Sequence, residues 1–290
     1  MYYLQLLLNG FVAGGVYALF AVGLTMVYSI FRFINFAHGE LIAWGAYGVL
    51  LFMSAPFNLP LWLAVPPAII LVVVLAQVQN RFVFGPLKNS QPITLLIASI
   101  GLSFLLRGGL QLYFGSDLRS YQVGLFEGFE FGGLFITQVQ IGMVCLTILF
   151  FVTLYLLLTK TLIGKSMRAV SDSIELAGIY GISTSRVSYF VWTVSAVFAA
   201  SGGFLLALDT NLDPMMGLAF MIKAFAAVLL GGVGSVWGAL FGGMCIGVIE
   251  NMGTAFISPG YKDMPAFLLI ILILLLRPQG IFGSAQSGGR

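Results

Sequence analysis

The sequence predicts an all-α polytopic membrane protein, with about eight to nine membrane helices that include broken or re-entrant segments. The first observation is composition. Of the 290 residues, 60% are hydrophobic and only 8% are charged, whereas soluble domains carry roughly 25% charged residues. The second is the recurrence of apolar runs of about 20 residues, the length that a helix needs to cross a bilayer. The third is that these runs lack the period-two alternation of barrel strands, which leaves helices as the spanning elements.

The apolar runs divide the chain into successive spans within one transmembrane domain, residues 1–290. The spans are predicted at residues 4–30, 37–53, 61–83, 93–114, 139–159, 188–208, a glycine-broken pair at 218–249, and 264–276. The first run follows Met1 without a basic region, which is typical of a retained span and not of a cleaved signal. A chain of this composition is also expected to contact lipid and no nucleic acid.

Basic residues fall in alternate loops between these spans. They are Arg32, Arg81, Lys88, Lys160, Lys165, Arg168, Arg186, Arg277 and Arg290. The positive-inside rule assigns such loops to the cytoplasm. We therefore expect the amino terminus outside, the carboxyl terminus inside, and the loop at 160–187 in the cytoplasm. The loop at 115–137 would lie outside, either as a docking surface or as a merely solvated connection.

A short helix is predicted within the cytoplasmic loop. Asp172 and Glu175 have the spacing of a reciprocal capping box, and Gly181 suits the left-handed turn after a helix end. A helix of about two turns is marginal in water because few hydrogen bonds offset its nucleation. Its surface is apolar nearly all the way round, which is unusual for a solvated helix. It should therefore pack on its own membrane helices or dock into a groove on another protein.

A polar interruption separates the first two spans and contains Asn35, His38 and Glu40. Asn35 can cap the second helix, which would then begin at membrane depth with its positive dipole end facing inward. One interpretation is a capped turn with a hydrogen-bonded histidine. The other is a lining of a transport path or its gate, because ionisable groups near lipid are usually functional. A metal or catalytic site is disfavoured by the small number of ligands.

The penultimate pair of helices contains a lysine and a series of glycines. Gly234, Gly238 and Gly242 recur every four residues, which predicts a small-residue stripe for close helix packing. The glycine-rich run at 231–235 should turn two short helices back on each other. Lys223 either reaches the outer interface with its ammonium group or contacts substrate or a buried carboxylate such as Glu250.

No catalytic constellation is present in the sequence, because a nucleophile, base and acid cannot be assembled around a single histidine. Gly164-Lys165-Ser166 matches the end of a phosphate-binding P-loop, but Thr159 stands where that motif requires its first glycine. We therefore expect no enzyme activity and no cofactor in this chain. If transport is active, another polypeptide must hydrolyse the ATP.

Several segments resemble the permeases of branched-chain amino acid ABC transporters. Those segments are Gly23-Leu-Thr-Met-Val-Tyr-Ser, Ile34-Asn-Phe-Ala-His-Gly-Glu40, Lys165-Ser-Met-Arg-Ala-Val170, Lys223-Ala-Phe-Ala-Ala-Val-Leu-Leu-Gly-Gly232 and Leu276-Arg-Pro-Gln-Gly-Ile-Phe282. The resemblance covers nearly the whole chain, and the size is more like the shorter of the family's two permease subunits.

The resemblance implies a coupling helix that contacts an ATPase. The pattern Glu-Ala-Ala, three residues, Gly of such helices matches Glu175, Ala177 and Gly181, with Leu176 in place of the middle alanine. Arg168 and Asp172 would flank that contact. By the same resemblance, Asn35, His38, Glu40 and Lys223 are candidates for the translocation path or gate.

The resemblance also implies partners and a location. Two ATPase subunits would bind ATP and Mg²⁺, a second and different permease would complete the path, and an external substrate-binding protein would deliver isoleucine, leucine or valine. The assembly would lie in a bacterial cytoplasmic membrane. The alternatives are a permease for urea or short-chain amides in a related importer, an ATP-independent channel or ion-coupled carrier, and a structural membrane subunit without a path of its own.

Overall fold

The computed structural model describes residues 1–88, 90–121, 128–277 and 280–282. Helices dominate these residues. They are α1 (Tyr2–Phe31), α2 (Ala37–Met53), α3 (Leu61–Val78), α4 (Pro92–Phe114), α5 (Gln138–Lys160), α6 (Leu162–Asp172), α7 (Ile174–Ile179), α8 (Thr184–Asp209), α9 (Met216–Gly231), α10 (Val236–Gly253) and α11 (Met264–Leu276). A π-helical turn, Gln79–Phe84, continues α3, and a 3-10 turn, Pro259–Tyr261, precedes α11.

The predicted fold class is confirmed. Within the described residues, six helices are long and apolar enough to cross a membrane, namely α1, α3 with its π-helical turn, α4, α5, α8 and α10. The apolar helices α9 and α11 are shorter, and α2 has 17 residues. Each predicted span coincides with one of these helices to within a few residues, and the predicted break at 231–235 is the turn between α9 and α10.

The central helices of the bundle are α1 and α8. In the most apolar 18-residue stretch of each helix, 89% of the residues of α1 and 78% of those of α8 are buried, against 22% for α5. Glycines allow α1 to approach α10 closely, since a methyl group added at Gly14 would lie 2.8 Å from the carbonyl oxygen of Met244. The more exposed helices, such as α5, present apolar side chains outward, as expected of surfaces that face lipid.

Helix α2 begins deep in the bundle. The His38 side chain in its first turn meets the carbonyl oxygen of Phe20, which lies roughly 16 Å before the end of α1 at 1.5 Å per residue. The first turns of α2 and α9 also meet, because a methyl group on Gly39 would lie 2.4 Å from the Gly217 carbonyl oxygen. Two helices therefore start next to each other inside the protein.

The cytoplasmic loop predicted at 160–187 contains two helices instead of one. Thr161 caps α6 by accepting a hydrogen bond from the Gly164 N–H. The cap predicted at Asp172 is wrong, because Asp172 is the last residue of α6 and Ser173 accepts from the Leu176 N–H to start α7. The predicted left-handed turn at Gly181 is confirmed, with φ of 78°.

The described part of the loop at 115–137 contains an antiparallel hairpin of β1 (Gly128–Phe131) and β2 (Leu134–Thr137). This hairpin is an addition to the elements predicted from the sequence. Residues 122–127 of the loop lie outside the described residues, as do Pro278 and Gln279 of the last family-like segment and Arg290 of the basic set.

Candidate functional site

His38 joins three helices. Its Nε2 lies 3.2 Å from the carbonyl oxygen of Phe20 in α1, and its Nδ1 lies 3.3 Å from the hydroxyl of Ser195 in α8. A carbonyl oxygen only accepts, so Nε2 donates to it, and a neutral ring accepts from Ser195 at Nδ1. The ring is fully buried. His38 therefore fixes the start of α2 against its neighbours and does not face an open channel.

Asn35 holds the first turn of α2. Its Oδ1 accepts a hydrogen bond of 3.1 Å from the Ala37 N–H, which satisfies one of the free N–H groups at the start of the helix. Its Nδ2 is buried and has no hydrogen-bond partner among the described residues. Phe36 occupies the N-cap position of α2, so the predicted cap at Asn35 is corrected to a hydrogen bond from one residue earlier, and Asn35 keeps one donor inside the bundle.

Glu40 forms a buried ion pair that the sequence analysis missed. Its Oε1 accepts from Nε of Arg107 at 3.2 Å and from Nη2 of the same guanidinium group. The two side chains are 1% and 9% exposed. Its second oxygen, Oε2, is also buried and unpartnered within the described residues, and lies beside Gly217 at the start of α9. The available signal was Arg107 itself, since an arginine inside an apolar span requires a partner.

Lys223 is the centre of a second, separate group of charges. Its Nζ lies 2.8 Å from Oε1 of Glu250 in α10 and 2.8 Å from Oδ1 of Asp263 before α11. It also donates to the hydroxyl of Tyr17 at 3.3 Å. The lysine is 5% exposed. Of the two interpretations in the sequence analysis, the structure has contact with a buried carboxylate and not a lysine that reaches the outer interface.

Asp263 and Lys262 form the exposed edge of this charge group. Burial acts to raise the pKa of the Asp263 carboxyl, but the interaction with Lys223 outweighs burial and the pKa lies below its ordinary value. Lys262 is mostly exposed and approaches Glu250 to 3.6 Å. Two cations and two carboxylates therefore balance, which reduces the cost of burying Lys223 and Glu250.

The glycines of α10 divide into two kinds. Methyl groups added at Gly238 and Gly242 would lie 2.2 Å from the Gly231 carbonyl oxygen and 2.0 Å from the Ala227 carbonyl oxygen. Both glycines thus pack directly on α9. Gly234 does not belong to this stripe, because it lies in the turn with φ of 90° and its nearest neighbours would be 4.0 Å away. Its predicted packing role is corrected to a conformational one.

Helix α7 exposes most of its side chains. Ala177 is 3% exposed and holds the helix on the protein, whereas the apolar residues around it are open to solvent. The exposed apolar residues are Ile174, Leu176, Ile179 and Tyr180. Glu175 and Asp172 are also exposed. Arg168 binds the carbonyl oxygen of Leu158 at the end of α5, so its guanidinium is held by this chain.

Ionisable residues inside membrane spans typically mark substrate or ion pathways, and this many-helix membrane protein buries two groups of them between its spans. More specifically, the chain belongs to the family described as branched-chain amino acid transport system / permease component, which matches residues 6–275.

Three relatives match almost the whole chain. The high-affinity branched-chain amino acid transport system permease protein LivH of Salmonella typhimurium is 34% identical, over 99% of this chain and 97% of its own. The protein of the same name in Escherichia coli (strain K12) is also 34% identical, with the same coverage. The corresponding protein BraD of Pseudomonas aeruginosa is 35% identical, over 98% of this chain and 97% of its own. No solved structure matches the chain at a significant level.

Proposed function

We propose that this chain is the membrane-spanning permease subunit of an ATP-driven importer for branched-chain amino acids. The observation that carries the proposal is the exposed apolar face of α7, which a partner protein would cover. The substrate class follows from the printed names of the relatives. None of the three relatives described above is named as a urea or amide permease, so the branched-chain assignment is kept as the main one.

The partner that fits α7 is an ATPase subunit with an apolar groove. Ile179 and Tyr180 are 80% and 84% exposed, and burying one such side chain contributes about 1.5–3 kcal/mol. Glu175 and Asp172 supply negative charge beside this face. Because the P-loop match at Gly164-Lys165-Ser166 is incomplete, the proposal assigns ATP and Mg²⁺ to the ATPase subunits. Leu176, 57% exposed, would require its own cavity in that groove.

We assign the gate of the translocation path to two buried sites. One is the first turn of α2, which ends with Glu40, and the other is the charge group around Lys223. Asn35, His38, Glu40 and Lys223 are at most 5% exposed, so this conformation is closed around them. Opening would separate the first turn of α2 from α9, where Gly39 and Gly217 touch. The unpartnered oxygen of Glu40 and the Nδ2 of Asn35 face the protein interior. They could accept from a substrate ammonium group and donate to its carboxylate, respectively.

The remaining partners are proposed from the family, and the orientation in the membrane is proposed from the charge pattern. The basic loops support an external amino terminus and a cytoplasmic carboxyl terminus in a bacterial cytoplasmic membrane. A second, different permease would complete the path, and a substrate-binding protein would dock on the outer loops. Those loops include the β1–β2 hairpin, and backbone hydrogen bonds of 2.9 and 2.7 Å join Arg119 to Leu212 there.

The test is reconstitution with the candidate ATPase, the second permease and the binding protein encoded with this chain. We expect leucine uptake that requires ATP, and loss of ATPase co-purification on Glu175→Arg. Lys88→Ala removes an exposed charge from a loop predicted on the same side of the membrane and serves as the control. Uptake that persists without any ATPase would exclude the proposal.

A further inference from the structure

The carboxyl ends of α1 and α6 are joined by two reciprocal hydrogen bonds. Nη2 of Arg32, the residue that ends α1, donates to the carbonyl oxygen of Ser171 at 2.7 Å. The hydroxyl of Ser171 donates to the carbonyl oxygen of Ser29 at 3.1 Å. We call this pair of contacts the Arg32–Ser171 clamp. Its two hydrogen bonds join residues that are separated in the sequence by 139 and 142 positions.

Both acceptors in the clamp are groups that a helix leaves free. The last four carbonyl groups of a helix lack partners within it, and Ser29 and Ser171 both lie in the last turn of their helices. A guanidinium group at a helix carboxyl end also interacts favourably with the helix dipole. Each helix end is therefore satisfied by the other, and displacement of α6 alone would break both contacts.

One side of the clamp leads directly to α7. Ser173, two residues after Ser171, caps α7 through the Leu176 N–H at 3.3 Å. Only one residue, Asp172, separates the clamp from that cap. Met167 and Val170 hold α6 on the protein, and Ala177 holds α7, because all three side chains are buried. A partner that displaces α7 therefore pulls on Ser171 through only two residues, Asp172 and Ser173.

The other side leads to the buried start of α2. Arg32 has a positive φ of 55°, a conformation that is unfavourable for most side chains. Phe33, next in the chain, is 3% exposed and packs on Phe31 and Phe84 at ring distances of 6.4 and 5.1 Å. Asn35 is fully buried, and its side chain accepts from the Ala37 N–H in the first turn of α2. Arg32 itself is exposed, but Phe33 and Asn35 are buried and hold the rest of the connection in place, which limits how far it can absorb a displacement.

We propose that the Arg32–Ser171 clamp transmits movement of α7 to the first turn of α2, with Arg32 and Ser171 as positioning residues. This inference rests on the proposed function, because it assumes an ATPase that moves α7. The transmitted movement shifts Asn35, His38 and Glu40 against α9. Breaking the clamp leaves ATPase binding intact and separates ATP hydrolysis from transport.

The test uses the reconstituted complex and measures leucine molecules imported per ATP hydrolysed. Arg32→Gly is the informative variant, because glycine adopts positive φ without strain and preserves the turn while removing the guanidinium. Ser171→Ala removes only the hydroxyl bond to Ser29. We expect import per ATP to fall roughly threefold or more in Arg32→Gly and less in Ser171→Ala, with stoichiometry of the complex unchanged. Lys88→Ala controls for the lost positive charge.

Two results would overturn the proposal that the clamp transmits movement of α7 to α2. The first is unchanged import per ATP in both variants. The second is a proportional fall in import and hydrolysis, because the contacts would then support assembly or hydrolysis alone. If Arg32→Gly fails to assemble, Ser171→Ala and Arg32→Lys decide between the same outcomes. Failure of the proposed function is distinguished by the unmutated chain, which would then import leucine without ATP or bind no ATPase.

Discussion

Glu40 in the first turn of α2 and Arg107 in α4 form a buried ion pair that lies beside the contact of α2 with α9. Their two bonds share Oε1 of the carboxylate, and its Oε2 has no partner among the described residues. The pair thus compensates the charges while leaving one acceptor free. This geometry suits a group that holds a closed conformation and can exchange partners when the conformation changes.

Replacing Arg107 with methionine should destabilise the protein strongly, because it leaves the Glu40 carboxylate buried without a cation. Removal of one partner of a buried pair costs about 3–5 kcal/mol. The measurement is the midpoint of thermal unfolding in detergent, with Lys165→Ala as an exposed control. The double variant Glu40→Gln/Arg107→Met should recover most of the loss. Equal destabilisation in the single and double variants would show that the ion pair contributes nothing beyond packing.

The Glu40–Arg107 pair shows what the sequence could and could not predict. Helix length, hydropathy and the break at 231–235 are local properties, and they predicted the spans. The partner of Glu40 lies 67 residues away, and no periodicity relates the two positions. Only charges in the loops bear on membrane orientation, so Arg107, which lies inside a span, does not enter that prediction. An arginine inside an apolar span predicts that a buried acidic partner exists, but it does not identify which carboxylate is that partner.

Two missed elements had local signals. The hairpin has Gly132 and Gly133 between two short strands rich in aromatic and β-branched residues, a pattern that predicts a hairpin turn. Thr161 also had the position of a helix cap, but α6 has a mixed composition and gains its stability from burying Met167 and Val170. Tertiary packing of this kind cannot be derived from the segment alone.

Lys223→Met should lower stability because it leaves Glu250 and Asp263 as neighbouring carboxylates with only Lys262, 3.6 Å from Glu250 and mostly exposed, to balance them. We expect a loss of about 3–5 kcal/mol, measured by thermal unfolding, and its partial recovery in Lys223→Met/Glu250→Gln. Leucine uptake by the stabilised double variant separates two roles. Normal uptake would make the charge group structural, whereas uptake that stays low would support its assignment to the gate.

Ile179→Arg should weaken binding of the ATPase subunit without affecting the stability of the permease, because this side chain is 80% exposed. Loss of one buried apolar side chain, about 1.5–3 kcal/mol, corresponds to roughly tenfold or more in the dissociation constant. Titration of the detergent-solubilised permease with its ATPase measures the effect. Leu162→Arg provides the matched control, since this leucine is 81% exposed at the start of α6. If the ATPase bound the Ile179→Arg and Leu162→Arg variants with the same affinity, α7 would not be part of the interface.

Gly242→Ala should push α9 and α10 apart, because the new methyl carbon would lie 2.0 Å from the carbonyl oxygen of Ala227. The neighbouring atom is backbone and cannot move aside by rotation, so we expect a loss of about 1–3 kcal/mol, as for other overpacked sites. Gly101→Ala in α4 is the matched control. It has no neighbour within 4 Å and lies inside a helix, where alanine is favoured. Its unfolding midpoint should stay level or rise while that of Gly242→Ala falls. The difference between the two variants isolates close helix packing from helix propensity, and equal midpoints would contradict the α9–α10 contact.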